Sequence, residues 1–226
     1  MKYLKNLVLL AFFCQLSVYK TDAQNLKLTS DIDSVNFFLG YFLGKQLGST
    51  GIDVKLDILL QGVSDAIAQK QLNISDEDIN QFMNQYFMGL QTRVNAETLK
   101  AGQDFLAANA KKQGVVTLSS GLQYKIIREG AGKKPEMNDV TELVYHGSLI
   151  DGTVFDSSKE RGDTVSFAPS NVISGFAEAL CLMSEGSIWE IYIPAELGYG
   201  ENPAGNIKPN SVLIFEIDLV SVKTSN

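Results

Sequence analysis

Apolar residues in the first half of the chain recur every three to four positions. Ile32, Val35, Phe38, Leu39, Phe42, Leu43 and Leu47 trace one broad stripe, which predicts a helix ending at Gly48-Ser49-Thr50-Gly51. Leu56, Leu59, Leu60, Val63 and Ile67 repeat the spacing and predict a second helix over 54–68. Ser75 ahead of Asp76-Glu77-Asp78 reads as a helix cap followed by acidic first-turn residues, which are favourable at the positive end of a helix dipole. Ile79, Phe82, Met83, Tyr86, Phe87 and Leu90 open a third helix that runs to about Lys111. Its later part thins to Val94, Leu99, Phe105 and Leu106. At 1.5 Å per residue it would span roughly 54 Å. Three such helices have little room to bury Phe37 and Tyr41, which lie off the main stripe. The segment therefore completes its core in a homodimer or against the rest of the chain, and the number of aromatics favours the dimer.

After Gln113-Gly114 the period changes to two. Leu122, Tyr124 and Ile126 alternate, as do residues of 140–150 and 188–193, and then Leu213, Phe215, Ile217 and Leu219. Glycines and prolines divide these runs, and Asp151-Gly152 between two of them signals a hairpin. Only Ser174 to Leu182 reads as a helix. The prediction is an α+β fold: an antiparallel sheet of about five strands with one short helix, preceded by an all-α domain with one long connecting helix.

The first residues read as an export signal. Lys2 and Lys5 precede an apolar run from Leu7 to Val18, broken by Gln15 and Ser17. A membrane-spanning helix needs roughly 20 apolar residues, more than this run has. Thr21-Asp22-Ala23 offers a cleavage site after Ala23; the alternative is an uncleaved anchor. Phe12 and Phe13 are bulky where a lipidation signal at Cys14 wants small residues. The expected organisation is 1–23 signal peptide, 24–112 helical dimerisation domain and 113–226 sheet domain. Cleavage leaves Cys181 as the sole cysteine, in an apolar stretch that suits a small buried hydrophobe better than a reactive thiol.

Composition narrows the chemistry. The 226 residues carry a net charge of −7, which disfavours phosphate contacts with nucleic acid. One histidine and two cysteines cannot assemble a Cys/His zinc site, and any Ser-His-Asp mechanism would have to run through His146. No phosphate-binding glycine loop is present. The expectation is chemistry without a metal, a cofactor or a covalent intermediate.

What remains is an aromatic set: Tyr145, Phe155, Phe176, Trp189, Tyr199 and Phe215, with Asp156-Ser157-Ser158 and Arg161 nearby in sequence. Spacing alone also fits a plain sheet core. The motifs go further. Val144-Tyr145-His146-Gly147, Asp151-Gly152-Thr153-Val154-Phe155-Asp156-Ser157-Ser158 and Arg161-Gly162 resemble the FKBP-type peptidyl-prolyl isomerases. So do Val172-Ile173-Ser174-Gly175-Phe176, Leu197-Gly198-Tyr199-Gly200, Ile207-Lys208-Pro209-Asn210 and Val212-Leu213-Ile214-Phe215-Glu216. Leu39-Gly40, Leu43-Gly44-Lys45 and the run from Gly114 to Tyr124 resemble the macrophage-infectivity-potentiator branch of that family.

The resemblance implies a sheet wrapped around one short helix and a peptidyl-prolyl cis-trans isomerase that assists folding of exported proteins. It implies proline-containing polypeptide substrates, macrolide inhibitors and a homodimer formed through 24–112. It also implies export to the periplasm or outer membrane of a Gram-negative bacterium. Tyr145, Asp156 and Tyr199 would be catalytic; Phe155, Arg161, Val172, Ile173, Phe176, Ile207 and Phe215 would bind substrate. Phe176 would form the pocket floor, Ile173 would offer its backbone N–H, and Tyr199 its hydroxyl, to substrate carbonyls. Asp156 would stand at the rim, oriented by Arg161 and Tyr145; an ion pair of purely structural role is the other reading of Asp156–Arg161. His146 alternates away from Tyr145 and reads as a bystander. Three positions depart from the family pattern. Phe176 replaces a common Trp, Val165 stands where a wall aromatic is common, and the 201–207 loop is short. These departures keep a rival in view, a proline-segment-binding chaperone with weak or no turnover.

Overall fold

The computed structural model describes residues 27–48 and 50–224; the expected signal peptide over 1–23 lies outside the described residues. The chain divides into two compact units after Gln71. The first unit contains α1 (Asp31–Gly48) and α2 (Leu56–Ile67). A reciprocal cap starts α1: Ser30 Oγ accepts the Asp33 N–H at 3.1 Å, and Asp33 Oδ2 accepts the Ser30 N–H at 3.0 Å. Neither helix has a buried residue. Ile32, Leu39, Phe42 and Ile67 are each more than 60% exposed, so these apolar faces meet no partner among the described residues of this unit.

The second unit opens with α3 (Asp76–Asn109), where Ser75 Oγ accepts the Asp78 N–H at 3.1 Å. β1 (Val115–Thr117), β2 (Gln123–Arg128), β3 (Val140–Leu149) and β4 (Val154–Ser157) follow. Then come the single-turn α4 (Ser158–Arg161), β5 (Val165–Phe167), α5 (Ser174–Leu182), β6 (Ile188–Ile193) and β7 (Leu213–Lys223). The strands make one antiparallel sheet ordered β1-β2-β6-β7-β3-β4, with β5 also paired to β3. The sheet has seven strands where the sequence pattern gave about five. β1, β4 and β5, of three, four and three residues, are too short for alternation to register, so the pattern undercounts the sheet. The Asp151-Gly152 turn closes the β3–β4 hairpin, with Gly152 at φ 84° and Leu149 N–H donating to Thr153 O at 2.9 Å.

Alternation along β3, β6 and β7 sends Leu143, Ile191, Ile193, Leu213 and Ile217 to one face, all fully buried. α5 covers that face with Phe176, Ala179 and Leu180. Gly175 makes the close approach possible: a Cβ there would lie 2.5 Å from Ile193 Cγ2. The sparse second half of α3, which has few apolar positions of its own, docks on the sheet. Phe105 packs on Tyr192 with ring centroids 6.0 Å apart. Buried Asn109 donates to Gln123 Oε1 at 2.9 Å, and Gln123 Nε2 donates to Leu106 O at 2.9 Å.

Gly102 lies at the centre of this contact, where a Cβ would come 2.8 Å from Val212 Cγ2. Gly102→Leu should therefore pry the helix from the sheet and lower stability by about 1–3 kcal/mol. Urea denaturation of the two proteins measures it.

Candidate functional site

A cavity of about 810 Å³ opens between β4, β5, the start of α5 and the β6–β7 connection. β3 contributes Tyr145, β4 Phe155 and Asp156, and β7 Phe215. Val172, Ile173 and Phe176 come from the turn into α5, and Tyr199 and Ile207 from the β6–β7 connection. Of the ten residues expected at the site, nine line this cavity. Arg161 does not; it stands behind Asp156 and bonds it.

Phe215 is the centre of the wall. Its ring meets Phe176 at 5.0 Å, Phe155 at 5.4 Å and Tyr145 at 6.2 Å between centroids, all edge to face. This arrangement directs positive ring edges at negative ring faces and leaves an apolar surface toward the cavity. Phe176 is buried against it. Gly147 supplies the space. It is register partner to both Phe215 and Asp156, and a Cβ there would lie 2.8 Å from the Phe215 ring and 2.9 Å from the Phe155 ring.

The rim is polar on one side. The Tyr145 hydroxyl donates to Asp156 Oδ2, and Arg161 Nη1 donates to Asp156 Oδ1 at 2.6 Å. Burial works to raise the Asp156 pKa, but the hydrogen bonds from Tyr145 and Arg161 outweigh it and hold the carboxyl below its usual range. The Tyr145 phenol is pushed up, first by burial and then by its bond to Asp156. Arg161 is raised, mainly by the same carboxylate, and stays charged. Asp156 is therefore anionic and Tyr145 neutral at neutral pH. The neighbouring serines hold this group in place. Ser158 Oγ accepts the Tyr145 N–H at 2.9 Å, and Ser157 Oγ accepts the Glu160 N–H at 3.1 Å, capping α4 and so fixing Arg161.

Across the cavity, the Ile173 N–H meets no acceptor among the described residues, and Tyr199 is 40% exposed. Ile207 is brought in by a tight turn. It exchanges backbone bonds with Ala204 at 2.9 and 3.1 Å around Gly205, whose φ is 57°.

Sequence reasoning missed Phe167, Asn171, Ala204, Gly205 and Asn206, which also line the cavity. Phe167 answers the apparent loss of an aromatic at Val165. In the extended run Val165-Ser166-Phe167 both apolar residues share a face, and Phe167 brings its ring to 6.4 Å from Tyr145. Three residues are too few for alternation to reveal it. The loop positions carry no pattern that could.

His146 lies on the other side of the sheet, its Nδ1 3.0 Å from Ser157 Oγ. Trp189 is a core residue stacked on Tyr124 at 4.3 Å. Cys181 is half-buried, 3.8 Å from Met137 Sδ, and burial raises its thiol pKa. Among the described residues no group of His, Cys, Asp or Glu could hold a metal ion, and no helix is long and apolar enough to cross a membrane.

Comparison with known proteins gives consistent matches. A family model described as the domain amino-terminal to FKBP-type peptidyl-prolyl isomerase matches residues 32–126. A second, described as FKBP-type peptidyl-prolyl cis-trans isomerase, matches residues 131–220. The outer membrane protein MIP of Legionella longbeachae is 42% identical over 211 residues, covering 90% of each chain. The peptidyl-prolyl cis-trans isomerase Mip of Coxiella burnetii is 39% identical, covering 87% of this chain and 89% of its own. The crystal structure of FkpA from Escherichia coli superposes with a TM-score of 0.70 at 32% identity, covering 88% of this chain and 100% of its own.

Two outcomes follow from the geometry. Gly147→Ala should drive the Phe155 and Phe215 rings into the cavity and weaken occupancy by a proline peptide about tenfold or more, while the chain still folds. Peptide titration followed by NMR reads the loss, and tenfold corresponds to about 1.4 kcal/mol. The Asp156 carboxyl should titrate below the ordinary value of about 3.9 and move upward in Arg161→Gln. Because the folded value is depressed, the contact adds stability above the unfolded value, and that stability is lost as pH falls through the folded one. With Asp156 45% exposed, the stability change stays small.

Proposed function

The chain belongs to the FKBP-type peptidyl-prolyl cis-trans isomerases, and from that premise we propose how its pocket turns an X–Pro bond. The activity is cis-trans isomerisation of the peptide bond before proline. Resonance in that bond sets a barrier of about 18–20 kcal/mol. Twisting the amide breaks the resonance and leaves a less polar group. An apolar cavity therefore holds the twisted amide better, relative to water, than the planar one. The observation that carries this reading is the edge-to-face cluster around Phe215, which offers an apolar wall beside a single pinned carboxylate.

In this reading the proline ring enters against Phe176, Phe155, Val172, Ile207 and Phe215. The Ile173 N–H and the Tyr199 hydroxyl take carbonyls of the substrate and fix its backbone. Asp156 faces the carbonyl carbon of the twisting amide, and Arg161 and Tyr145 keep it anionic and oriented. No proton moves, so neither a general base nor a metal is needed. Arg161 thus serves by holding Asp156 rather than by touching substrate.

The helical region supplies assembly. Phe38, Leu39, Tyr41 and Phe42 of α1 and Phe82, Tyr86, Phe87 and Met88 of α3 are all exposed. Apolar surface on this scale is covered by a partner in soluble proteins, and a second copy of residues 24–112 fits that need. Export to the periplasm or outer membrane is supported by the pattern of 1–23 and by the name of the Legionella relative. Clients would then be exported polypeptides whose folding waits on proline isomerisation.

Asp156→Val should leave a folded protein that isomerises a short proline peptide about ten- to a hundredfold more slowly, or about 1.4–2.8 kcal/mol in barrier. Full activity in the folded variant would remove Asp156 from the mechanism. Sedimentation of the chain after cleavage should give about twice the monomer mass. A monomer at tens of micromolar would overturn the dimer and leave the isomerase intact, because every pocket residue comes from one chain.

A further inference from the structure

The site has a connection to the opposite face of the sheet. The chain carries one histidine, His146, and alternation along β3 turns its ring away from Tyr145. That ring is not isolated. Its Nδ1 lies 3.0 Å from the hydroxyl of Ser157, its register partner on β4. The same hydroxyl accepts the Glu160 N–H at 3.1 Å and so caps α4. The last residue of α4 is Arg161, which bonds both Asp156 and Tyr145. A continuous path of contacts thus runs from the imidazole through Ser157 and one helical turn to the polar rim.

We propose that His146 is a positioning residue for the isomerase site, acting through Ser157 on the turn that carries Arg161, and that protonating its ring weakens the site. When the ring is neutral, Nδ1 accepts the Ser157 hydroxyl proton, and the serine oxygen keeps its lone pairs for the Glu160 N–H. When the ring is protonated, Nδ1 becomes a donor. Ser157 must then turn its proton away and share its oxygen between two donors, which weakens the cap.

The surrounding charges act in the same direction. On α4, Glu160 Oε1 is 3.8 Å from Nδ1, and Lys159 bonds Glu216 Oε1 at 2.8 Å. Glu216, on β7, is the cross-strand partner of His146. Farther along β7, Asp218 is held by Arg128 at 3.1 Å. On β4, Asp156 is engaged by Arg161. An imidazolium draws Glu160 toward the sheet and competes with Lys159 for Glu216. Both charged neighbours of Arg161 on its own turn are disturbed together. At the rim itself Asp156 is held lower and Tyr145 higher, so neither changes charge between pH 5 and 8.

The test needs an isomerisation assay free of a coupling protease, such as NMR exchange on a proline peptide, run across this pH range. Wild type should lose about two- to fivefold in kcat/KM from pH 8 to pH 5.5. His146→Gln keeps a hydrogen-bonding side chain but gains no proton, and should give a flat profile. A flat wild-type profile, or an unchanged fall in His146→Gln, overturns the proposal. The rate readout rests on the isomerase reading, so a second signal is recorded on the same samples. The Arg161 Nε–H resonance should shift with the His146 ring titration in wild type and stop doing so in Ser157→Ala. A titrating ring with an unmoved Arg161 signal overturns the proposal. Absence of turnover at every pH overturns the isomerase reading instead, and the Arg161 signal then decides this one.

Discussion

The site depends on one ring having room in the middle of a sheet. Phe215 sits on β7 between β6 and β3, and it meets three other aromatics edge to face. Each such pair contributes about 0.5–1.5 kcal/mol beyond the area it buries. The ring can occupy this position because its partner across the strand pair is Gly147. A larger residue there would close the cavity from behind. Strand register, set by the alternation of apolar residues over the whole length of β3 and β7, therefore decides whether an apolar cavity exists. The chemistry then needs only one well-placed carboxylate at its edge.

That carboxylate illustrates how the rim is kept polar without becoming unstable. Asp156 is half-exposed and bonded from two sides, so its charge is never stranded in the apolar wall. The serines that follow it serve backbone groups, one holding the strand of Tyr145 and the other the turn of Arg161. Four consecutive residues of β4 and α4 thus provide a wall ring, a charge and two anchors.

Much of this was legible in the sequence because it is periodic. The change from helical to alternating spacing near Gly114 marked the start of the sheet, and Tyr145, Phe176 and Phe215 fell on strands or a helix whose faces were fixed by pattern, whereas Phe155, on the four-residue β4, was marked by its motif alone. Short elements were less legible. β5 has three residues, so Phe167 carried too little context to stand out. Ala204, Gly205 and Asn206 reach the cavity through a turn held by backbone bonds, which leave no trace in hydropathy. The docking of α3 was hidden for a different reason. Its contacts use a glycine, an asparagine and a glutamine, and their value comes from close fit and buried hydrogen bonds rather than apolar periodicity.

The α3 docking bears on where the polypeptide can be divided. Asn109 and Gln123 are buried only while they face each other, and Tyr192 and Val212 are covered by Phe105 and Gly102. A cut just before Gly114 would respect the change of periodicity yet strip this cover and wet a buried amide pair. The exposed stretch from Ala68 to Ser75, where Gln69 adopts a φ of 53°, carries no such contacts. A protease acting on the folded chain should cut it there, leaving the long helix attached to the sheet as a built-in handle.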